Sequence, residues 1–219
     1  MDRSNGVRFG LVGAGGYGRE VMPLLREIAN RQPGSQVYFV AEGDQKLEAI
    51  NGVELISLDT FSALPGMGYF NVAIGDSIAR ERIATQCMQA GLKPVSIFAP
   101  NVIVLDGNEI GEGAVFSPFS MVTSNARIGK FFHANIYAYV AHDCVVGDYV
   151  TFAPGAKCNG NVVIENHAYI GTGAVLKQGS SSKPLVIGEG AVIGMGAVVT
   201  KNVAPGAVVV GNPAREMQR

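Results

Sequence analysis

The chain has 219 residues, with 17 Lys plus Arg against 18 Asp plus Glu and a formal net charge of −1, which excludes the basic surface needed for a sequence-independent grip on nucleic acid. Its three cysteines, Cys87, Cys144 and Cys158, are widely spaced and form no CxxC pair, which argues against a disulfide framework or a structural zinc site. No run of eighteen apolar residues and no signal-peptide pattern is present, so the expectation is a cytoplasmic protein that does not insert in a membrane.

Residues 1–98 alternate between strand and helix patterns. The run VRFGLVGAG reads as a buried strand that ends in a glycine turn. YGREVMPLLREIANRQ reads as a helix with an apolar stripe at Val21, Leu24, Leu25 and Ile28, and Pro23 near its start. QVYFVAE and YFNVAIGD are further strands, SIARERIATQCMQAG is a helix stopped at Gly91, and KPVSIF is a last strand. About four strands alternating with helices predict a small Rossmann-like parallel sheet, an α/β domain over 1–98. Its first loop, GAGGYG, places Gly13, Gly15, Gly16, Tyr17 and Gly18 between strand and helix. Glycines there let backbone approach a ligand, and a helix N-terminus favours anions. A plain tight turn uses the same residues. Glu42, Asp44 and Asp76 follow strand ends, where open α/β sheets bind ligands, and turn-forming acids are the alternative. A full dinucleotide fold needs two mononucleotide halves, and about four strands supply only one.

Beyond residue 98 the period changes to six. Apolar residues recur at Val104, Ile110, Phe116, Val122, Ile128, Ala134, Val140, Val146, Phe152, Cys158, Ile164, Ile170 and Leu176. Two residues earlier stand mostly small side chains, including Ala114, Ser120, Ala126, Cys144 and Ala156. Side chains alternate along a strand, so both positions point to one side. Glycine follows the apolar beat at 111, 129, 147 and 171, and is expected to let the backbone turn. Three such units close an eighteen-residue coil, and about five stacked coils fit residues 99–206 as a parallel β-helix. The beat breaks over KQGSSSKPLV, which is expected to bulge from the solenoid.

In YVAHDCVVGDYV, His142 and Asp143 fall on neither inward position, so they point outward near a corner. One coil further on lies Gly160, whose lack of a side chain leaves a shelf and a backbone N–H. An imidazole, a neighbouring carboxylate and an amide donor make a general-base site with an oxyanion hole. Asn135, seven residues before His142, supplies a further polar group. His133 and His167 also lie off the inward register, where solvated surface histidines are the plain expectation. Neither HxH nor HxxxH is present, so no metal is expected. Cys144 and Cys158 fill inward slots as small hydrophobes.

GEGAVIGMGAVVTKNVAPGAVVVGNPAREM, together with the six-residue beat and AHDCVVGD, resembles the hexapeptide-repeat acyltransferases over residues 98–217. With GLVGAGGYGREV added, the whole chain resembles the two-domain bacterial sugar acetyltransferases. These include the N-acetyltransferases of bacillosamine and perosamine biosynthesis and the sialic-acid-pathway O-acetyltransferases. The resemblance implies a left-handed β-helix over 99–219, a homotrimer, and acetyl-CoA in the groove between neighbouring helices. It further implies that the first domain holds a UDP- or GDP-linked 4-amino-4,6-dideoxy sugar. It carries the catalytic base to His142, its acidic neighbour to Asp143, the oxyanion amide to Gly160 and an acceptor contact to Asn135. Acetyl-CoA contacts are expected at Thr151, Gly160, Gly190, Lys201 and Arg215, with Lys183 in the bulge. Two positions depart from the family: Tyr17 and Thr151 stand where many members carry histidine. A sugar O-acetyltransferase, an NAD-linked oxidoreductase and a noncatalytic trimeric binding module are the competing readings.

Overall fold

The computed structural model describes residues 6–43 and 48–217, so the candidate Asp44 lies outside the described residues. The chain divides after Ile97 into two compact units. In the first unit the elements run β1 (Val7–Val12), α1 (Gly16–Asn30), β2 (Gln36–Ala41), β3 (Ala49–Ile50), β4 (Val53–Ser57), α2 (Leu58–Ala63), β5 (Met67–Val72), α3 (Ser77–Gln89) and β6 (Lys93–Pro94). The strands order as β3-β4-β2-β1-β5-β6, parallel throughout except for the β3–β4 hairpin. β1 is central, and Phe9, Leu11 and Val12 are buried on both faces, as the unbroken apolar run demands.

Two details differ from expectation. Pro23 lies in the middle of α1 rather than near its start. It is tolerated because it faces solvent while Val21, Met22, Leu24 and Leu25 face the core. The hairpin and β4 were not expected. Their signal is Asn51-Gly52, both at positive φ (49° and 76°), the dipeptide that favours a tight hairpin turn. Among the described residues no helix is long and apolar enough to cross a membrane.

The second unit is a left-handed parallel β-helix. Its three faces are sheets of eight, six and five strands. This is about one coil more than the five expected, since 99–206 holds six coils of eighteen residues, and the strands Ile97–Phe98 and Val208–Val210 extend the stack beyond that span at either end. Each step of eighteen residues brings a strand into register with the next, as Met121↔Tyr139↔Lys157↔Val175 shows. The inward beat is buried from Phe116 through Leu176, as are Ala114, Ala126, Ala138, Cys144, Ala156, Ala168 and Ala174 in the small slots. Ser120 is buried in a further small slot, and Phe132, Val150 and Val162 occupy the rest, so those coils carry more volume inside.

The glycines after the beat do a different job from the one expected. None of Gly111, Gly129, Gly147 and Gly171 has positive φ. They are glycine because coils touch there: a Cβ on Gly129 would lie 2.6 Å from the backbone carbon of Gly147, and one on Gly111 2.7 Å from that of Gly129. The left-handed turn comes two residues later, at Gly107, Gly113, Phe119, Asn125, Phe131, Tyr137, Asp143, Tyr149, Gly155, Asn161, His167 and Gly173. Three columns of such corners run up the three edges. One stacks Phe131, Tyr149 and His167 with ring centroids 5.5 and 5.4 Å apart. His133 is fully buried, against the expectation of a solvated side chain. It stands between Val115 and Thr151 on the outward side of the eight-stranded face, where all three residues are shielded from solvent.

Candidate active site

Designate the eight-, six- and five-stranded sheets the first, second and third faces. The edge where the second face turns into the third is formed, coil by coil, by residues 141–144, 159–161, 177–184 and 200–202. His142, Asp143, Gly160, the bulge with Lys183, and Lys201 therefore share one edge. Sequence positions up to sixty residues apart are collected there only because the coil length is constant until the insertion.

Asp143 occupies the left-handed corner at φ 57°, a conformation that aspartate tolerates better than most residues. The turn throws both His142 and Asp143 outward, with side chains 47% and 49% exposed. His142 Nδ1 lies 2.8 Å from Asp143 Oδ2. A carboxylate only accepts, so Nδ1 carries the proton and donates it to Asp143, which leaves Nε2 with a free lone pair. The imidazole lies across Gly160: a Cβ at that residue would come 2.5 Å from Nε2. Glycine is required here by the ring above it, since Gly160 has no positive φ. The Asn161 N–H donates to the His142 carbonyl at 3.0 Å and fixes the spacing of the two coils.

Further along the same edge, the bulge closes on itself through Ser180 and Lys183. With Lys177, Lys201 and Asn202 it lines a groove of about 500 Å³. A smaller hollow of about 220 Å³ continues from Lys201 to Arg215. Lys177 was not singled out by sequence. Its signal is its place at the first residue of the broken beat. Gly190 is not on this edge: it sits above His167, where the third face turns into the first, with open space around its Cα. Thr151 lies in a strand of the first face, 5% exposed. Asn135 sits at the turn from the first face into the second and donates from Nδ2 to Phe152 O at 2.9 Å. Within one chain these three are not gathered around His142. The three histidines likewise occupy separate faces or edges.

In the first unit, Gly13 turns at φ 106° with its Cα hydrogen side against Ala73 O, and Gly18 packs α1 closely on Gly13. Around Gly15 and Gly16 a Cβ would meet nothing within 4 Å, so the start of α1 is an open backbone cradle beside the partly buried Tyr17. Asp76 caps α3, its Oδ1 accepting from Ala79 N at 2.8 Å, which is the structural alternative for that residue. Glu42 follows the end of β2 as expected, but both of its oxygens are held by Arg82 at 2.6 and 2.8 Å. The hydrogen bonds from Arg82 hold the Glu42 carboxyl below its ordinary range. Glu42 also borders a cavity of about 250 Å³ with Gly43, Ser57, Asp59 and Gln86, beyond the C-terminal ends of β2 and β4.

No family model matches the chain. The GDP-perosamine N-acetyltransferase of Escherichia coli O157:H7 is 53% identical over 213 residues, which cover 96% of each chain. The solved structure of WeeI from Acinetobacter baumannii AYE is 51% identical, with a TM-score of 0.93 over 96% of this chain and 100% of that one. The acetyltransferase domain of PglB from Neisseria gonorrhoeae FA1090, solved in complex with acetyl coenzyme A, is 28% identical, with a TM-score of 0.84 over 96% of this chain and 98% of that one. The chain belongs to the hexapeptide-repeat sugar acetyltransferases, left-handed β-helix acyltransferases that take the acetyl group from acetyl-CoA.

Proposed function

We propose that the chain transfers the acetyl group of acetyl-CoA to the 4-amino group of a GDP-linked 4-amino-4,6-dideoxy sugar. The observation that carries the chemistry is the His142–Asp143 pair lying over Gly160. The choice of GDP rests on the 53% identity to a GDP-perosamine N-acetyltransferase. The nucleotide lies in the first unit, its diphosphate at the open start of α1, where a helix N-terminus favours anions. Acetyl-CoA runs along the edge that holds His142, with its phosphates near Lys177, Lys183, Lys201 and Arg215.

The neutral amine attacks the thioester carbonyl directly. His142 Nε2 takes the proton that the nitrogen sheds as the C–N bond forms, and the imidazolium is stabilised by Asp143. The Gly160 N–H receives the oxyanion. Collapse of the tetrahedral intermediate breaks the C–S bond and releases CoA as its thiol, with the imidazolium returning the proton to sulfur. Asn135 is on a different edge from His142, so it reaches the acceptor only from a neighbouring chain, and the site is completed in a homotrimer.

The experiment is mass spectrometry of acetyl-CoA reactions with GDP-perosamine and with UDP- and dTDP-linked 4-amino sugars. Expected is a 42-dalton gain on the GDP-linked sugar first, and a fall in turnover of about a hundredfold or more in His142→Ala. Normal turnover by a folded His142→Ala variant rejects His142 as the base, and a preference for another nucleotide rejects GDP.

A further inference from the structure

The proposed oxyanion donor, the Gly160 N–H, belongs to the peptide that joins Asn159 to Gly160. The carbonyl of that peptide is met from inside the prism. Cys144 Sγ donates to the Asn159 carbonyl oxygen at 3.2 Å, and Cys158 Sγ lies 3.6 Å from the same oxygen. Both sulfurs are wholly buried. The carbonyl therefore points inward. In a trans peptide the N–H points opposite to the C=O, and the peptide at Asn159–Gly160 is trans. The Gly160 N–H is consequently aimed outward, on the edge that carries His142, and among the described residues no backbone carbonyl takes it.

The side chain of Asn159 is held as firmly as its carbonyl. Tyr139 OH donates to Asn159 Oδ1 at 2.7 Å, and Asn159 Nδ2 donates to Leu176 O at 2.7 Å. Tyr139 lies on the same coil as His142, three residues earlier, so its bond ties the coil of the base to the coil of the amide. Burial pushes the Tyr139 phenol up, which keeps it a donor at neutral pH. The hydrogen bond to Cys144 and burial push the Cys158 thiol well up. The corner slots one coil before Cys144 and one after it are Ala126 and Val162, which offer no donor. Of these three stacked slots, only the one behind the catalytic edge carries a polarisable donor.

We propose that Cys144 and Tyr139 are positioning residues that orient the Asn159–Gly160 peptide so that its N–H meets the thioester carbonyl. The two act through Gly160 and do not touch substrate. A thiol that hydrogen-bonds the Asn159 carbonyl also polarises the peptide and strengthens its N–H as a donor. This rests on the reading of Gly160 as the oxyanion donor given above.

The test compares Cys144→Ala, Cys144→Ser and Tyr139→Phe with the unaltered enzyme, at saturating acetyl-CoA and amino sugar under single-turnover conditions. Alanine already fills the equivalent slot at 114, 126, 138, 156, 168 and 174, so Cys144→Ala is expected to fold with its melting temperature nearly unchanged. Loss of a neutral hydrogen bond predicts a fall in the acetyl-transfer rate of about three- to tenfold in Cys144→Ala and Tyr139→Phe. The KM for each substrate is expected to stay within about twofold, because the lost interaction is made to the transition state. Cys144→Ser keeps a donor and is expected to return the rate to within about twofold of the parent. A Cys144→Ala enzyme with the parental rate overturns the proposal, and so does a serine variant as impaired as the alanine one. His142→Ala, run alongside, separates the two claims. If it is inactive while Cys144→Ala is unimpaired, only the positioning role falls. If it is fully active, the reading of the whole edge falls with it.

Discussion

An imidazole serves as a base only when one ring nitrogen is committed elsewhere and the other has clear space. At His142 the first condition is met by Asp143 at 2.8 Å and the second by a glycine beneath the ring. Gly160→Ala tests the second alone. Its methyl would sit 2.5 Å from the present position of Nε2, so the ring must swing away from the reacting nitrogen. The expected outcome is a fall in kcat of about a hundredfold, similar to loss of the base, with the fold preserved by circular dichroism. A Gly160→Ala enzyme of normal kcat would show that the ring need not lie where it does. This pair was legible in the sequence because outward register is arithmetic: 142 is neither a beat nor a small slot. The inward direction of the Asn159 carbonyl was not legible, since no side-chain pattern records the rotation of a single peptide plane.

At the scale of the element, the repeating unit uses glycine for two separable purposes. Gly129 is small because another coil lies against it, whereas Gly173 is small at an open left-handed corner with nothing within 4 Å. Gly129→Ala is expected to destabilise the second unit by about 1–3 kcal/mol, because the obstructing atoms are backbone of the next coil and cannot rotate away. Gly173→Asn is expected to be nearly neutral, since asparagine already occupies the same conformation at 125 and 161. Denaturant titration of both variants measures the contrast, and equal losses would reject the distinction. The sequence showed that glycine recurs every coil. It did not show which glycine makes the turn, because close packing and positive φ both select the same residue. The unexpected hairpin in the first unit has the same kind of cause. Its strands are short, and Asn51-Gly52 was the one clear mark of them.

At the scale of the molecule, the residues proposed for the site fall on two edges of one chain's prism. Asn135 stands one edge away from His142, while the lysines of the groove share the edge of His142. If a neighbouring chain supplies Asn135, light scattering is expected to give three times the chain mass of 22.9 kDa. Inactive His142→Ala and Asn135→Ala chains, refolded together, are then expected to regain a fraction of the parental activity, because some mixed interfaces hold both intact residues. A monomer, or mixtures that stay as inactive as each variant alone, would refute the shared arrangement.

The six-residue beat, the outward register of His142 and Asp143, and the strand–glycine–helix start of the first unit were determined by sequence alone. Each is a local periodicity, set by side-chain alternation and backbone sterics within a few residues. Tertiary structure alone decided that His133 is buried, that Arg82 holds Glu42, that Gly190 and Thr151 stand apart from the edge of His142, and that two buried thiols meet the Asn159 carbonyl. These depend on what the fold brings opposite a given side chain from another strand or coil, and spacing along the chain carries no record of that neighbour's chemistry.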